Sequence, residues 1–236
     1  MSRFPLRRFP LLLLFLSLQA FAYLPPAGFV IGHSVTERAG LKALEWTAKI
    51  TDLKTRTVFK ETLKLDFVSG KLSASYQTPS DEPLGSIQGP ISLVNKLGKF
   101  WLCVALDPNI ARVKTALESL RVLPADVEET RLERIGTRVA WVWGVDSVIG
   151  FEKDEFTPLL YRETPDARSD MVLFQGFAIA SANSRVPKTV TIRTHGEDQF
   201  VFELRSIKTD GAPAKEKGQA QAPQLPAVKE WISLVR

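Results

Sequence analysis

Hydrophobic and polar residues alternate with a period of two along much of this chain. Residues 46–50, 58–67 and 72–76 each follow this pattern, and the second run is interrupted only by Glu61. Successive side chains of a strand point to opposite faces of a sheet, so these runs predict half-buried antiparallel strands. The turn residues Ser69-Gly70 join the second and third runs into a predicted hairpin.

The second half of the chain continues this pattern. Val139, Trp141 and Trp143 are predicted to share one face of a strand, because they lie two positions apart. Residues 99–107, KFWLCVALD, are apolar on both faces, which is typical of a central strand covered on both sides. Further strands are predicted over residues 148–151, 157–162, 171–180, 188–194 and 198–208. A sheet of about ten antiparallel strands is expected to curl strongly.

A helix is predicted before the first strand. Ser34 and Glu37 have the spacing of a capping box, and the helix that they begin continues through Leu41 and Leu44.

A second helix is predicted between the strands, from Asp107 to Leu123. Asp107 is a suitable N-cap, Pro108 fits the first helical position, and Pro124 ends the helix. Its apolar stripe consists of Ile110, Val113, Leu117 and Leu120.

The start of the chain has the form of a secretory signal peptide over residues 1–22. Arg3, Arg7 and Arg8 precede the apolar run LLLLFLSL, and Ala20-Phe21-Ala22 forms a small-x-small cleavage site. The apolar run is shorter than the roughly 20 residues of a spanning helix, so we expect no transmembrane segment in the mature chain. A retained membrane anchor is the weaker alternative. The mature protein is therefore predicted to begin at Tyr23 and to be periplasmic.

About 214 mature residues suit one large β domain. We predict an extended arm over residues 23–32, which contain two prolines and two glycines, and a main domain over 33–208. Residues 209–227 are rich in Ala, Gln, Pro, Gly and Lys, which predicts a flexible linker. A short amphipathic helix is predicted over 228–236, and it either docks on the sheet or tethers a partner.

Charge and cysteine content exclude several classes of protein. Loss of the signal peptide leaves 28 basic and 26 acidic residues, so the net charge falls from +5 to +2. The chain has no cluster of basic residues interleaved with aromatic ones, and we expect no nucleic-acid partner. The single cysteine, Cys103, lies in an apolar run, which favours a buried structural thiol and rules out an intramolecular disulfide.

Catalytic chemistry finds little support in the sequence. The two histidines, His33 and His195, each lie beside a glycine in a predicted loop, without a cluster of metal-ligand residues. Glu152, Asp154 and Glu155 lie in a predicted hairpin turn, where charge keeps the turn solvated. We therefore predict no catalytic residues, no metal site and no cofactor, and we interpret the chain as a binding protein rather than an enzyme.

Several stretches resemble a known family. AWVWG, then VIGFEKDEFTPLLYRE with its Phe-x-Pro-Leu element from Phe156 to Leu159, is similar to a strand–turn–strand of the outer-membrane lipoprotein carriers and receptors (LolA/LolB-like). SRVPKTVTIRT with FVFELRSIK is similar to that family's closing hairpin. The likeness spans Ala43 to Lys208. The family's arginine-centred polar latch corresponds to no residue that we place from the sequence.

The resemblance implies an α+β, mainly β fold: a strongly curved antiparallel sheet that forms an unclosed half-barrel, with an N-terminal helix and a mid-sheet helix as lid. It also implies an apolar, lipid-binding cavity on the concave face. Aromatic bulk on the predicted strands agrees with that, although such residues also suit an ordinary filled core. The predicted cavity residues are Phe59, Phe67, Leu72, Tyr76, Trp141, Trp143, Phe151, Phe177, Phe200 and Phe202. The predicted lid residues are Ile110, Val113, Leu117 and Leu120.

These features predict a periplasmic protein that shields acyl chains of lipids or lipoproteins and carries them toward the outer membrane. Two alternatives stay open. The same fold suits an envelope sensor or protein-binding module that contacts its partner through the C-terminal tail, and the third hypothesis is an uncharacterised hydrolase.

Overall fold

The structure is a computed structural model that describes residues 24–122, 130–144, 146–166, 168–180, 184–210 and 221–236. The predicted signal peptide (1–22) and most of the predicted linker (209–227) lie outside the described residues.

The described residues form eleven strands, one more than the approximate number predicted. They are β1 (Ala43–Asp52), β2 (Val58–Asp66), β3 (Lys71–Gln77), β4 (Pro83–Pro90), β5 (Arg131–Ile135), β6 (Arg138–Trp143), β7 (Val148–Glu152), β8 (Pro158–Arg162), β9 (Met171–Ile179), β10 (Arg185–Thr194) and β11 (Glu197–Thr209). All eleven belong to one antiparallel sheet, which does not close into a barrel. The predicted fold class, a mainly β half-barrel with an N-terminal helix and a helix inserted mid-sheet, is confirmed.

The order of the strands puts β4 and β5, which are consecutive in sequence, at opposite edges of the sheet. It runs β4-β3-β2-β1-β11-β10-β9-β8-β7-β6-β5, so each pair of neighbours except β1 and β11 is also consecutive in sequence. β1 pairs with β11 in the middle, where Ile50 lies opposite Phe202. β4 and β5 are the two edges, and the segment that links them therefore passes across one face of the sheet.

That face, which we call the inner face, is defined by the buried alternate residues of the strands. Along β1 the side chains of Leu44, Trp46, Ala48 and Ile50 are buried, and their neighbours are half-buried. The alternation predicted from the sequence is therefore the burial pattern that the structure shows. Four short helices contribute to the cover: α1 (Ala27–Thr36), α2 (Lys96–Gly98), α3 (Ile110–Ser119) and α4 (Pro226–Val235).

The N-terminal region corrects two predictions. Residues 27–32, predicted as part of an extended arm, form most of α1. The helix predicted from Ser34 through Leu44 is helical only over residues 34–36, because α1 ends at Thr36 and β1 begins at Ala43. Each interior glycine costs a helix about 1 kcal/mol, and Gly28 and Gly32 misled the prediction. Burial of Val30, Ile31 and Val35 against the core outweighs that cost.

The segment KFWLCVALD is not a strand. α2 runs directly into a π-helical segment, Lys99–Val104, and we call the unit Lys96–Val104 the plug. Every residue from Phe100 to Leu106 is buried. A short apolar run fits a buried strand and a buried helix equally well, so the hydrophobic pattern alone does not distinguish them.

The predicted lid helix is present and shorter than predicted. α3 begins at Ile110, and Asn109 rather than Asp107 is its N-cap, because the Asn109 side chain accepts from the amides of Ala111 and Arg112. Asp107 instead receives two hydrogen bonds from the Arg112 guanidinium, at 2.7 and 2.9 Å.

Candidate functional site

The structure brings nine of the ten predicted cavity residues onto the inner face and buries them in one cluster. Phe177 is the exception. It is half-buried and packs against both this cluster and a smaller one on the second half of the sheet. Among the predicted lid residues, Val113, Leu117 and Leu120 are buried, whereas Ile110 is 42% exposed.

Trp141 and Trp143 both lie in the inner cluster, as their spacing predicts. The ring of Trp143 stacks on Phe151, with centroids 5.1 Å apart. The indole N–H of Trp141 donates to the Lys153 carbonyl at 3.1 Å. The buried indole nitrogen of Trp143 has no acceptor among the described residues.

The plug covers the centre of the inner face with two aromatic rings. Trp101 stacks on Trp46 at 5.8 Å and meets Phe202 edge-on at 4.9 Å. Phe100 stacks on Tyr161 at 5.5 Å and on Phe174 at 5.3 Å. The aromatic wall predicted to hold a ligand is thus in contact with the rings of the chain itself.

A second cover comes from α4. Its Trp231 is fully buried and contacts Trp101 and Phe200 edge-on, at 5.8 and 5.5 Å. The segment before α4 lies along the β4 edge, where the Ser86 amide donates to the Gln221 carbonyl at 2.8 Å.

One buried carboxylate fastens α4 to the sheet. Glu61 projects from β2 into the inner face and accepts from the indoles of Trp46 and Trp231, at 3.3 and 2.9 Å. The Arg236 guanidinium donates to the same carboxylate at 2.8 Å and lies over the rings of Trp101 and Trp231. We call this group the Glu61 lock. The sequence marks this group only through Glu61 itself, the acidic residue that stands where the alternation of β2 calls for an apolar one.

A second buried polar fastening joins α1 to the plug. The Arg38 guanidinium donates to the Val104 carbonyl at 2.8 Å, and to the Ser34 carbonyl and hydroxyl at 3.1 and 3.3 Å. Arg38 is only 4% exposed, and this burial lowers its pKa to about 10. Sequence reasoning missed both Arg38 and Arg236. Arginine is usually exposed, and nothing local marks these two as buried.

A cleft opens beside Arg38, between α1, the end of the plug and strands β8 to β10. The cleft is narrow, and the space in it that the centre of a water-sized group can reach is about 10 Å³. We call it the Arg38 cleft. The lining residues are Ser34, Glu37, Arg38, Ala105, Thr157, Pro158, Phe177, Arg185 and Pro187.

Charged side chains surround this cleft. Arg185 pairs with Glu155, and Arg138 donates to the same carboxylate at 3.5 Å. The hydrogen bond from Arg185 lowers the pKa of Glu155, whereas burial raises the pKa of Glu37.

His33 and Glu152, which the sequence analysis considered for catalysis, make contacts that stabilise the fold. His33 packs between the rings of Phe29 and Phe156, at 4.4 and 5.2 Å. The Glu152 carboxylate accepts from the backbone amides of Asp154 and Glu155, which closes the β7–β8 turn.

Within the described ranges, no group of three or more His, Cys, Asp and Glu side chains is arranged to hold a metal ion. None of the helices in those ranges is both long and apolar enough to span a membrane.

Comparison with known proteins identifies the fold. No protein-family model and no curated protein matches the chain. Among solved structures, an outer membrane lipoprotein-sorting protein domain from Vibrio parahaemolyticus is similar, with a TM-score of 0.51, 12% identity, and coverage of 79% of this chain and 93% of that one. This likeness supports the LolA-like fold that the sequence resemblance implied.

Two further solved structures are similar at lower scores. A DUF1329 family protein from Desulfovibrio piger has a TM-score of 0.39 and 12% identity, and the match covers 80% of this chain and 95% of that one. The MucA/MucB complex from Pseudomonas aeruginosa has a TM-score of 0.37 and 10% identity, and the match covers 84% of this chain and 64% of that one.

Proposed function

We propose that the chain is a periplasmic protein that binds the acyl chains of lipids or lipoproteins against its inner face and carries them toward the outer membrane. The observation that supports this most is the cover of that face. The plug and α4 are separate segments that cover the aromatic residues of the inner face. A buried arginine anchors each of them, Arg38 for the plug and Arg236 for α4.

Such a cover explains how an apolar binding face is kept from water when it is empty. Exposed apolar patches above a few hundred Å² promote aggregation. Rings such as Trp101 and Trp231 shield the wall in this conformation, and an acyl chain takes their place when the cover moves. The predicted cavity residues and the lid helix α3 are then the ligand-contacting groups.

The energetics permit this exchange. Burial of each CH₂ group contributes roughly 0.8 kcal/mol, so an acyl chain of about 16 carbons contributes on the order of 10 kcal/mol before association costs. Exposure of a buried aromatic side chain that the acyl chain displaces costs about 1.5–3 kcal/mol. The net binding is moderate, which suits a carrier that must also release its ligand.

The remaining parts of the proposal come from the sequence and the fold. The Arg-rich signal over residues 1–22 directs the chain to the periplasm. A lipoprotein-sorting domain has the same fold. The role is therefore binding and transport rather than catalysis.

The contacts of α4 support a second function. α4 is an amphipathic helix whose apolar side, anchored by Trp231, lies on the inner face, so the same side binds an envelope protein partner when α4 leaves that face. Truncation of the chain after Thr209 distinguishes the two functions. It abolishes capture of a partner that binds the tail and leaves binding of acyl chains intact.

Native mass spectrometry of the exported protein tests the proposal. We expect a lipid-sized mass adduct on the wild-type protein, and loss of that adduct in Trp141→Ala and Trp143→Ala. Phe29→Ala is the matched control, because Phe29 is 44% exposed outside the inner cluster, and it keeps the adduct. If no adduct forms under gentle ionisation or after incubation with lipid vesicles, the acyl-carrier function is wrong.

A further inference from the structure

The Arg38 cleft contains a buried cation whose acceptors are all neutral. The three hydrogen bonds of Arg38 go to two backbone carbonyls and one hydroxyl. In the described part of the chain no carboxylate lies within salt-bridge distance of it, and the nearby Asp107 is occupied by Arg112. A charge removed from water is costly unless an opposite charge approaches it.

The guanidinium also has donors to spare. Arginine carries five N–H bonds in a planar fork, and three of those on Arg38 are used. The other two have no acceptor within the described ranges. A pair of guanidinium N–H donors matches the two oxygens of a carboxylate or a phosphate.

Thr157, which also lines the cleft, provides an independent observation. Its side chain is 5% exposed, and its hydroxyl has no hydrogen-bond partner among the described residues. A buried hydroxyl without a partner costs about 1–3 kcal/mol, and such groups are rare in folded proteins. Thr157 and Arg38 line the same cleft, so one ligand with anionic oxygens satisfies both.

We propose that the Arg38 cleft is an anion-binding site that takes the carboxylate or phosphate group at the head of an acyl-chain ligand. Pro158, Pro187 and Phe177 contribute apolar surface to its lining, and Ala105 follows the plug directly. A head group held by Arg38 therefore leaves its apolar chain beside the plug. The assignment of an acyl tail rests on the proposed function, whereas the anion site rests on Arg38 and Thr157.

Two charged residues at the mouth of the cleft adjust its affinity in opposite directions. Arg185 attracts an anion, although it is already paired with Glu155. The Glu37 carboxylate repels one, and it lies in the same cleft. Removal of the Glu37 charge is therefore expected to strengthen binding, an effect that a damaged fold does not produce.

Nuclear magnetic resonance titration of the full chain tests the site. The probes are octanoate, octyl phosphate, uncharged octyl glucoside and inorganic phosphate. The signals are the backbone amides of Ser34 and Thr157, the Arg38 side-chain N–H, and the indole N–H groups of the inner face. We expect octanoate and octyl phosphate to shift the cleft signals in a saturable manner, and octyl glucoside to leave them unchanged.

Three variants sharpen the test. Thr157→Val removes one hydroxyl and is expected to weaken octanoate binding about tenfold. Glu37→Gln is expected to strengthen it about threefold. Thr191→Val is the matched control, a threonine that is 8% exposed on β10 and does not line the cleft, and it leaves binding unchanged.

The outcomes separate the anion site from the proposed function. If octyl glucoside and octanoate perturb the inner-face indoles equally and no probe shifts the cleft signals, the anion site is wrong and acyl binding stands. If inorganic phosphate shifts the cleft signals and no octyl probe perturbs the indoles, the anion site stands and acyl binding is wrong. Equal affinity of Glu37→Gln and Thr157→Val for octanoate also contradicts the site.

Discussion

Glu61 and Arg236 form a buried ion pair across 175 positions of sequence, with an N–O distance of 2.8 Å and side chains 0% and 1% exposed. The carboxylate also accepts from two indoles, Trp46 and Trp231. One acidic residue on β2 therefore holds the end of α4, the anchoring ring of α4 and a ring of β1. Four predictions follow from this lock, the plug and the Arg38 cleft.

Loss of one partner of the lock is expected to be far more costly than loss of both charges. Arg236→Met leaves a carboxylate buried without a counter-charge, and we expect it to lower the free energy of unfolding by about 3–5 kcal/mol. The double variant Glu61→Gln/Arg236→Met keeps an acceptor for the indoles and recovers most of the loss. Urea unfolding at pH 7 measures both values.

Lys60→Met is the control for the lock, because the Lys60–Asp81 pair is exposed and contributes less than about 1 kcal/mol. A loss below about 1 kcal/mol for Arg236→Met means that the pair does not fasten α4.

Gly98 is a second point at which α4 depends on the plug. A methyl group at Gly98 overlaps the Val235 carbonyl oxygen, which is backbone and must shift. We expect Gly98→Ala to displace α4 and to destabilise the fold by about 1–3 kcal/mol. Thermal unfolding and quenching of tryptophan fluorescence report the change.

Gly28→Ala is the matched control, because Gly28 is also helical and nothing lies within 4 Å of a methyl group there. The better helix propensity of alanine is expected to raise stability by about 0.5–1 kcal/mol. If Gly98→Ala and Gly28→Ala shift the free energy of unfolding in the same direction, the close approach of the plug to α4 does not contribute to stability.

Cys103 lies on the plug and reports its opening. The thiol is 7% exposed, and burial raises its pKa to about 12. At pH 8 the folded chain is expected to react with a thiol reagent more than about 100-fold more slowly than the urea-unfolded chain, equivalent to ~2.7 kcal/mol of protection. Truncation after Thr209 is expected to raise the rate about tenfold, because it removes α4.

The control for this labelling is a chain with Cys103→Ser and Val68→Cys. Val68 is 76% exposed, so its thiol reacts at the same rate in the folded and unfolded states. Rapid labelling of Cys103 in the folded wild-type chain contradicts a closed plug.

Two glutamates of the Arg38 cleft region are expected to affect stability with opposite signs. Burial raises the pKa of Glu37 above its ordinary value of 4.5, so its ionised form opposes folding at pH 7 and its protonated form does not. Glu37→Gln is therefore stabilising at pH 7. The Arg185 hydrogen bond lowers the pKa of Glu155, so its stabilisation is present above pH 4.5 and is lost as the pH falls through the folded pKa.

Glu155→Gln is accordingly destabilising at pH 7. Both effects are expected to be below about 1 kcal/mol, because these side chains are partly exposed. Urea unfolding at pH 7 and at pH 3 tests the signs, and both variants approach the wild-type value at pH 3. Destabilisation by Glu37→Gln at pH 7 contradicts the assignment.

The strands show how much of the fold was predictable. Alternation at residues 46–50 and 72–76 predicted β1 and β3, because one wet face and one dry face impose a period of two on the sequence itself. The plug was mispredicted, since a segment that is buried on all sides retains no periodicity. α1 was missed in part because packing of Val30 and Ile31 outweighs the low helix propensity of its glycines.

The sequence by itself determined that this chain forms a mainly β sheet with apolar residues, Trp141 and Trp143 among them, on one face. These are local properties, because the alternation of polar and apolar residues within each strand shows which of its sides faces water. Only the tertiary structure decided which groups cover that face, and that Arg38 and Arg236 lie among them. Contacts such as Glu61 to Arg236 join residues from opposite ends of the chain, and no local pattern encodes a meeting that depends on how the sheet curves and pairs.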